Sequence, residues 1–480
     1  MLSVLVCHSY FMRFDPKQRE RAKPYPPLAT LQAASLLRLA GHEVSLFDAM
    51  LAEGIADYKR VLRDRRPDVV LLYEDNYNFL TKMCLAKMRE AACEMITLAH
   101  RSGARVIASG SDASDAPEPY LTSGADLVLV GEGLVTLLEL LPRLARDPTV
   151  PCSTLVEGLS GVTRLENSRV AKVNDAAVLP ESRLRGFPAW DLVDMDRYRE
   201  VWERAHGYFS LNMVASRGCP FRCTWCAKPI WGNQYLQRTP VEVAAEMTHL
   251  KRLARPDHVW FADDIFGFRA DWVEEFAREL KASSGGVPFT IQTRADLISE
   301  RMALALREAG CREAWIGAES GSQRVLDAMH KGTTVAEIIT ARERLKAAGI
   351  RVGFFIQLGY LGEELPDIVA TRELLDVARP DDVGVSVAYP LPGTKFYELV
   401  KEQLRSKTHW QDSDDLAMMF RGTYHSEFYR EIRNLIHDQV RLSQSLEREA
   451  QTQDLNGRWE SLLALEPNYR AAGDSTAARP

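Results

Sequence analysis

The sequence predicts an α/β protein built from two successive series of strands and helices, and three observations carry that reading. Short β-rich runs alternate with amphipathic helical stretches along most of the chain, the pattern of parallel sheets covered by helices. The alternation breaks once, over a stretch from about 148 to 207 that contains Pro148, Pro151, Pro180 and Pro188. The 480 residues exceed one ordinary domain and suit two or three.

Taken in order, the first series spans residues 1–147, with strand-like runs at 3–8, 43–48, 68–73, 105–109 and 126–130 and helical stretches such as 28–40 and 81–100 between them. Five such units predict a doubly wound, flavodoxin-like domain with a ligand site beyond the carboxyl ends of its strands. Residues 148–207 read as a linker with a few short strands. The second series fills 208–400, with strands expected at 209–215, 258–262, 288–292, 314–317, 352–358 and 383–388. Stretches such as 240–253 and 334–348 supply its helices. Six β/α units fall short of the eight of a closed barrel and predict a partial (β/α)6 barrel with its chemistry at the strand carboxyl ends. Residues 401–480 read as a helical C-terminal region, with 471–480 as a disordered tail.

Composition narrows the function classes. A net charge of −6 gives no electrostatic reason to expect nucleic acid or an anionic membrane as partner. The longest apolar runs, such as 134–144, fall well short of the roughly 20 residues a membrane span needs. Met1-Leu2-Ser3-Val4-Leu5-Val6 lacks the basic segment of a signal peptide and reads as a buried strand, so a cytoplasmic protein is expected. In that reducing compartment the eight cysteines are not a disulfide framework. Cys7, Cys84, Cys93, Cys152 and Cys311 lie scattered in apolar patterns and read as small buried hydrophobes.

The other three are clustered in Ser216-Arg217-Gly218-Cys219-Pro220-Phe221-Arg222-Cys223-Thr224-Trp225-Cys226, directly after the first barrel strand. Three thiols within eight residues, in a loop opened by Gly and Pro, suit a soft metal centre. A structural zinc site wants four ligands, and there is neither a second Cys pair nor a His within ten residues. A redox pair of Cys223 and Cys226 is the weaker alternative. Three thiolates on a cubane leave one iron open, a catalytic arrangement.

The CxxxCxxC spacing, with Trp225 before the last Cys, resembles the radical S-adenosylmethionine (radical SAM) superfamily. The resemblance continues through Trp260-Phe261-Ala262-Asp263-Asp264, Gly317-Ala318-Glu319-Ser320-Gly321-Ser322 and Tyr389-Pro390-Leu391-Pro392-Gly393-Thr394, and covers about 209–400. It implies a [4Fe–4S] cluster on Cys219, Cys223 and Cys226. S-adenosylmethionine would chelate the open iron and be cleaved to a 5′-deoxyadenosyl radical. It also implies Trp225 near the adenine, Glu319 and Ser320 near the ribose or amino group, and Asp264 and Arg294 at the strand-end pocket. Each has a plainer alternative: Asp264 a turn cap, Arg294 an ion pair, Glu319 a partner of backbone amides.

The first domain resembles the cobalamin-binding domain that precedes the radical domain in many such enzymes. The features are Pro26-Pro27-Leu28, Gly41-His42-Glu43-Val44 leading into Leu46-Phe47-Asp48, Ser109-Gly110-Ser111, and Gly131-Glu132-Gly133. The resemblance implies cobalamin held near Asp48, Ser109, Gly110, Gly131 and Gly133. After the second strand, Met50 stands where a cobalt-binding His would be, and no other His is expected nearby, so a cobalt without protein imidazole is expected. A degenerate domain without cofactor is the alternative. The two resemblances together imply a cobalamin-dependent methyltransferase acting on an unactivated carbon of a small molecule, lipid or natural product, supplied with electrons by a flavodoxin or ferredoxin. A radical oxidoreductase or cyclase without methyl transfer is the alternative; a non-catalytic sensor is disfavoured by the open cluster and the lack of a DNA-binding motif. Trp410, Met418, Met419 and Tyr429 are candidates for reading the substrate, or for plain packing.

Overall fold

Alternate residues of the first strands feed two separate cores. In β1 (Ser3–Cys7) of the computed structural model, Val4 and Val6 join one apolar cluster while Leu5 and Cys7 join another. The same division runs through β3 (Val69–Tyr73): Val69 and Leu71 on one side, Val70 and Leu72 on the other. A strand buried on both faces must be apolar at every position, which is why these runs are continuous rather than alternating in sequence. The structure describes residues 1–167, 169–173, 180, 186–226, 231, 234–444 and 449–471.

With β2 (Glu43–Phe47), β4 (Arg105–Ser109) and β5 (Leu127–Leu129), these strands form a parallel sheet in the order β2-β1-β3-β4-β5, the flavodoxin-like order. The sheet does not stop there. β6 (Val162–Glu166) pairs antiparallel with β5, and β7 (Arg169–Val173) pairs antiparallel with β6, making seven strands. The stretch read as a linker therefore extends the sheet, and it also contains a helix over Met195–His206.

The second sheet is six-stranded and parallel throughout. β8 (Ser210–Met213), β11 (His258–Phe261), β12 (Phe289–Thr293), β13 (Cys311–Glu319), β14 (Arg351–Leu358) and β15 (Asp382–Val387) follow one another in sequence order, a half barrel. A short antiparallel hairpin of β9 (Ser216–Gly218) and β10 (Tyr235–Gln237) stands beyond the end of β8. The β15 edge is covered by the helix Ser426–Gln444, whose Gln439 amide donates to the Arg372 carbonyl at 3.1 Å.

One of the two cores of the first sheet is continuous with the core of the half barrel. The C-terminal region adds a strap across both. The Ala86 amide donates to the Trp410 carbonyl at 2.8 Å, Lys87 pairs with Asp412 at 3.1 Å, and the Ser413 hydroxyl donates to Asp15 at 2.7 Å. Among the described residues no helix is long and apolar enough to cross a membrane. The expected tail at 471–480 lies outside the described residues save Ala471, whose amide donates to the Thr423 carbonyl at 3.0 Å.

Candidate active site at the domain junction

The cysteine loop begins where β8 ends, and buried polar contacts fix its entry. Asp263, at the end of β11, accepts from the Ala215 amide at 3.0 Å and from the Ser216 hydroxyl at 2.6 Å. Gly218 follows with φ +76°, and a Cβ there would stand 2.2 Å from the Gln234 carbonyl oxygen across the hairpin. Only glycine fits. Cys219 is buried; Cys223 and Cys226 are half-buried. Between them Thr224 is the anchor. Its amide donates to the Met329 carbonyl at 2.9 Å, its hydroxyl meets Tyr360 at 2.7 Å, and its carbonyl accepts from Phe396 at 2.9 Å.

Among the described residues no three Cys, His, Asp or Glu side chains converge tightly enough to hold one ion. A single tetrahedral ion draws its ligands to within about 4 Å of each other. A cubane puts each thiolate on a different iron, so three thiols of one loop suit it without converging on a single point. A buried guanidinium stands beside the loop. Arg294 lies 3.7 Å over the Phe221 ring with Nη1 3.8 Å from Cys223 Sγ, and it is itself held by Asp296, the Lys331 carbonyl and Thr333. Positive charge beside thiolates offsets the charge of an iron–sulfur group.

The other barrel residues singled out in the sequence are placed with protein partners. Glu319 does not bind backbone amides; it accepts from the buried Lys331 ammonium at 2.7 Å. Glu319 has φ +61°, and a Cβ on Gly317 would meet Lys331 Nζ at 2.6 Å, so that glycine clears the space for the pair. Ser320 is fully buried, with its hydroxyl 3.2 Å from Thr371 and accepting from the Ser322 amide at 3.1 Å. Asp264 pairs with Lys82 of the first domain at 2.6 Å rather than capping a turn. Trp225 is half-buried with its ring N–H buried and unpartnered.

The first sheet presents its strand ends to the same junction. Asp48 is saturated: it accepts from the Tyr198 hydroxyl at 2.6 Å and the Met50 amide at 3.0 Å, and it meets His8 Nε2 at 3.0 Å. The expectation that no His lies near Asp48 is thus corrected. His8 directly follows β1 and is buried beside Asp48, with the Ala49 amide 3.0 Å from the same Nε2. Strand order puts β1 next to β2, so residues forty apart in sequence become neighbours. Met50 is buried in the apolar core. A Cβ on Gly110 would meet Glu74 at 2.8 Å, so that glycine serves close packing. Gly131 and Gly133 have φ +74° and +71°. Ser109 Oγ, Asn76 Nδ2 and Thr81 Oγ1 are buried with no partner. Unpaired buried polar atoms are costly, and a group rich in amide and ester oxygens would satisfy them. The residues present fit cobalamin.

Three contacts close the junction: Lys82 with Asp264, a stack of Tyr77 on Trp231 at 5.2 Å, and a buried ion pair between Glu132 and Arg217. Sequence reasoning missed Lys82, Lys331, Thr224 and His8. Only His8 carried a local signal, a polar residue directly after the first apolar run. The aromatic cluster from Trp410 to Tyr429 packs inward, with Trp410, Met418, Met419 and Tyr429 all buried.

Comparison with known proteins agrees with this construction. Residues 213–375 match the family model of the radical SAM superfamily. An uncharacterized methyltransferase of Pyrococcus horikoshii is 25% identical over 434 residues, covering 86% of this chain and 90% of the relative. The hopanoid C-3 methylase of Methylococcus capsulatus is 24% identical over 400 residues, covering 80% of this chain and 70% of the relative. Among solved structures, the radical S-adenosylmethionine methyltransferase TsrM from Kitasatospora setae, with cobalamin and a [4Fe–4S] cluster bound, superposes with a TM-score of 0.67. It shares 19% identity and covers 83% of this chain and 74% of TsrM. Residues 213–375, which hold the three-thiol loop after the first strand of a half barrel, are thus similar to the radical SAM superfamily.

Proposed function

We propose that this protein is a cobalamin-dependent radical SAM methyltransferase acting on an unactivated carbon of a small molecule, lipid or natural product. The observation that carries the proposal is that the Arg217–Glu132 and Lys82–Asp264 pairs bring the three-thiol loop and the strand ends of the first sheet, with their unpaired buried polar atoms, to one junction. Relatives named as methyltransferase and methylase, matched over four-fifths of the chain or more, support methylation over oxidation or cyclisation.

Bound at this junction, the cluster supplies the electron that cleaves S-adenosylmethionine and cobalamin carries the methyl group. The chain's own residues hold and orient. Cys219, Cys223 and Cys226 ligate the cluster, leaving one iron for S-adenosylmethionine. Arg294 braces the loop from below Cys223, and Thr224 pins its centre to the barrel. Trp225 offers a ring face and a free N–H to the adenine. The Glu319–Lys331 pair shapes the end of β13, and Asp264 acts through Lys82 at the rim. Ser109, with Asn76 and Thr81, would offer polar partners to cobalamin, while Gly131 and Gly133 would let backbone approach it closely. Asp48 fixes His8 and the turn after β2. The protein works in the cytoplasm, with a flavodoxin or ferredoxin as electron donor.

Anaerobic incubation with S-adenosylmethionine, cobalamin and a chemical reductant tests the reading by mass spectrometry. Both 5′-deoxyadenosine and S-adenosylhomocysteine are expected, because one molecule of S-adenosylmethionine serves as radical source and another as methyl source. Formation of 5′-deoxyadenosine alone, with no S-adenosylhomocysteine when cobalamin is present, would favour oxidation or cyclisation instead.

A further inference from the structure

Glu132 sits in the loop after β5 and is fully buried, between Gly131 and Gly133, each with positive φ. Its carbonyl accepts from the Tyr73 hydroxyl at 2.6 Å, and the Gly131 amide donates to the Ser114 hydroxyl at 3.0 Å. The loop is therefore fixed from both sides in the first domain. Its carboxylate meets Arg217, 2% exposed, two residues before Cys219. Arg217 is equally constrained. It lies opposite Leu236 in the β9–β10 hairpin, between Ser216, tied to Asp263, and Gly218, which has no room for a side chain.

We propose that Glu132 and Arg217 are a positioning pair that sets the separation between the group on the cysteine loop and the group at the strand ends of the first domain. The inference rests on the two-cofactor reading above. Energetics point the same way. A buried ion pair stabilises little, because desolvating two charges offsets most of their attraction, and apolar residues of the same volume often do as well. Its distinguishing property is directional. A planar guanidinium donates to a carboxylate in few geometries, whereas apolar contacts slide. Here Arg217 Nη1 meets Glu132 Oε1 and joins two loops of different domains. A fixed distance between the two loops is what such a pair adds.

The test is the magnetic coupling between the one-electron-reduced cluster and Co(II) in frozen protein without substrate, read by pulsed electron paramagnetic resonance. The wild-type chain should give one narrow coupling. The double variant Glu132→Gln with Arg217→Met removes both charges and keeps the volumes. It should bind iron and cobalt at wild-type stoichiometry and melt within a few degrees of wild type, yet show a broadened or weakened coupling. Arg217→Lys, which keeps the charge and loses the planar guanidinium, should show the same broadening and serves if the double variant does not load. A coupling in these variants identical to wild type overturns the inference while leaving the two-cofactor reading intact. A wild-type protein that binds no cobalamin overturns both.

Discussion

Glu363 is a residue whose chemistry the sequence hides. It is buried beyond the end of β14, with one carboxyl oxygen accepting from the Gly359 amide at 2.6 Å and the other unpartnered. Burial, with Asp367 adding repulsion, pushes its pKa up to about 8. The sign of the linkage follows. The folded state holds a proton that the unfolded state releases near pH 4.3, so this group's contribution is full below that pH and is lost as pH rises toward 8. Glu363→Gln should remove that slope, and its melting temperature relative to wild type should climb steadily from pH 5 to pH 8; a difference constant with pH contradicts the assignment. The cysteines divide on similar grounds. Burial raises the thiol pKa of Cys7, Cys84, Cys93, Cys152 and Cys311, which keeps them protonated and poor ligands. Changing any one of these to Ala should leave about four irons per reconstituted chain, whereas replacing Cys219, Cys223 and Cys226 together should leave none. Iron retained in that triple variant would sink the cluster assignment.

At the scale of elements, the hairpin and the Thr224 anchor hold the cysteine loop more than its own backbone does. Gly218→Ala cannot be accommodated without moving Gln234, so iron loading should fall several-fold even where the fold persists, as measured by iron content beside circular dichroism. Thr224→Val loses two hydrogen bonds from its hydroxyl and should cost about 1–3 kcal/mol in denaturant unfolding. How legible were these elements? All eleven expected strands form, because buried parallel strands advertise themselves as apolar runs. β13 is longer than its apolar part, since Arg312 and Glu313 extend it through polar positions beyond Ala314–Gly317. β6 and β7 are legible only as unplaced short strands of a linker, for a related reason. They lie at a sheet edge, where Leu165, Glu166 and Arg169 are exposed and no continuous apolar run is required. The site was readable only where chemistry is local in sequence. Three thiols in one loop announce themselves; Lys82 reaching Asp264, or Lys331 reaching Glu319, depends on chain crossings that spacing does not encode.

At the scale of the whole molecule, the two domains behave as one body around the junction. A shared apolar core joins the first sheet to the half barrel, and the strap through Trp410 and Ser413 returns the C-terminal region to the first domain. Residues 1–147 expressed alone should therefore expose one face of their sheet and bind hydrophobic dye strongly, where the full chain does not. The central claim is that this body holds a cluster on its cysteine loop and cobalamin at its strand ends, with no protein imidazole on the cobalt. His8, the histidine beside Asp48, has Nε2 already engaged by Asp48 and the Ala49 amide. Electron paramagnetic resonance of the anaerobically reconstituted, reduced chain with cobalamin tests the claim directly. The account predicts a reduced-cluster signal together with a Co(II) signal whose cobalt lines carry no nitrogen splitting. A cluster signal without bound cobalt, or a nitrogen splitting that disappears in His8→Ala, would contradict it.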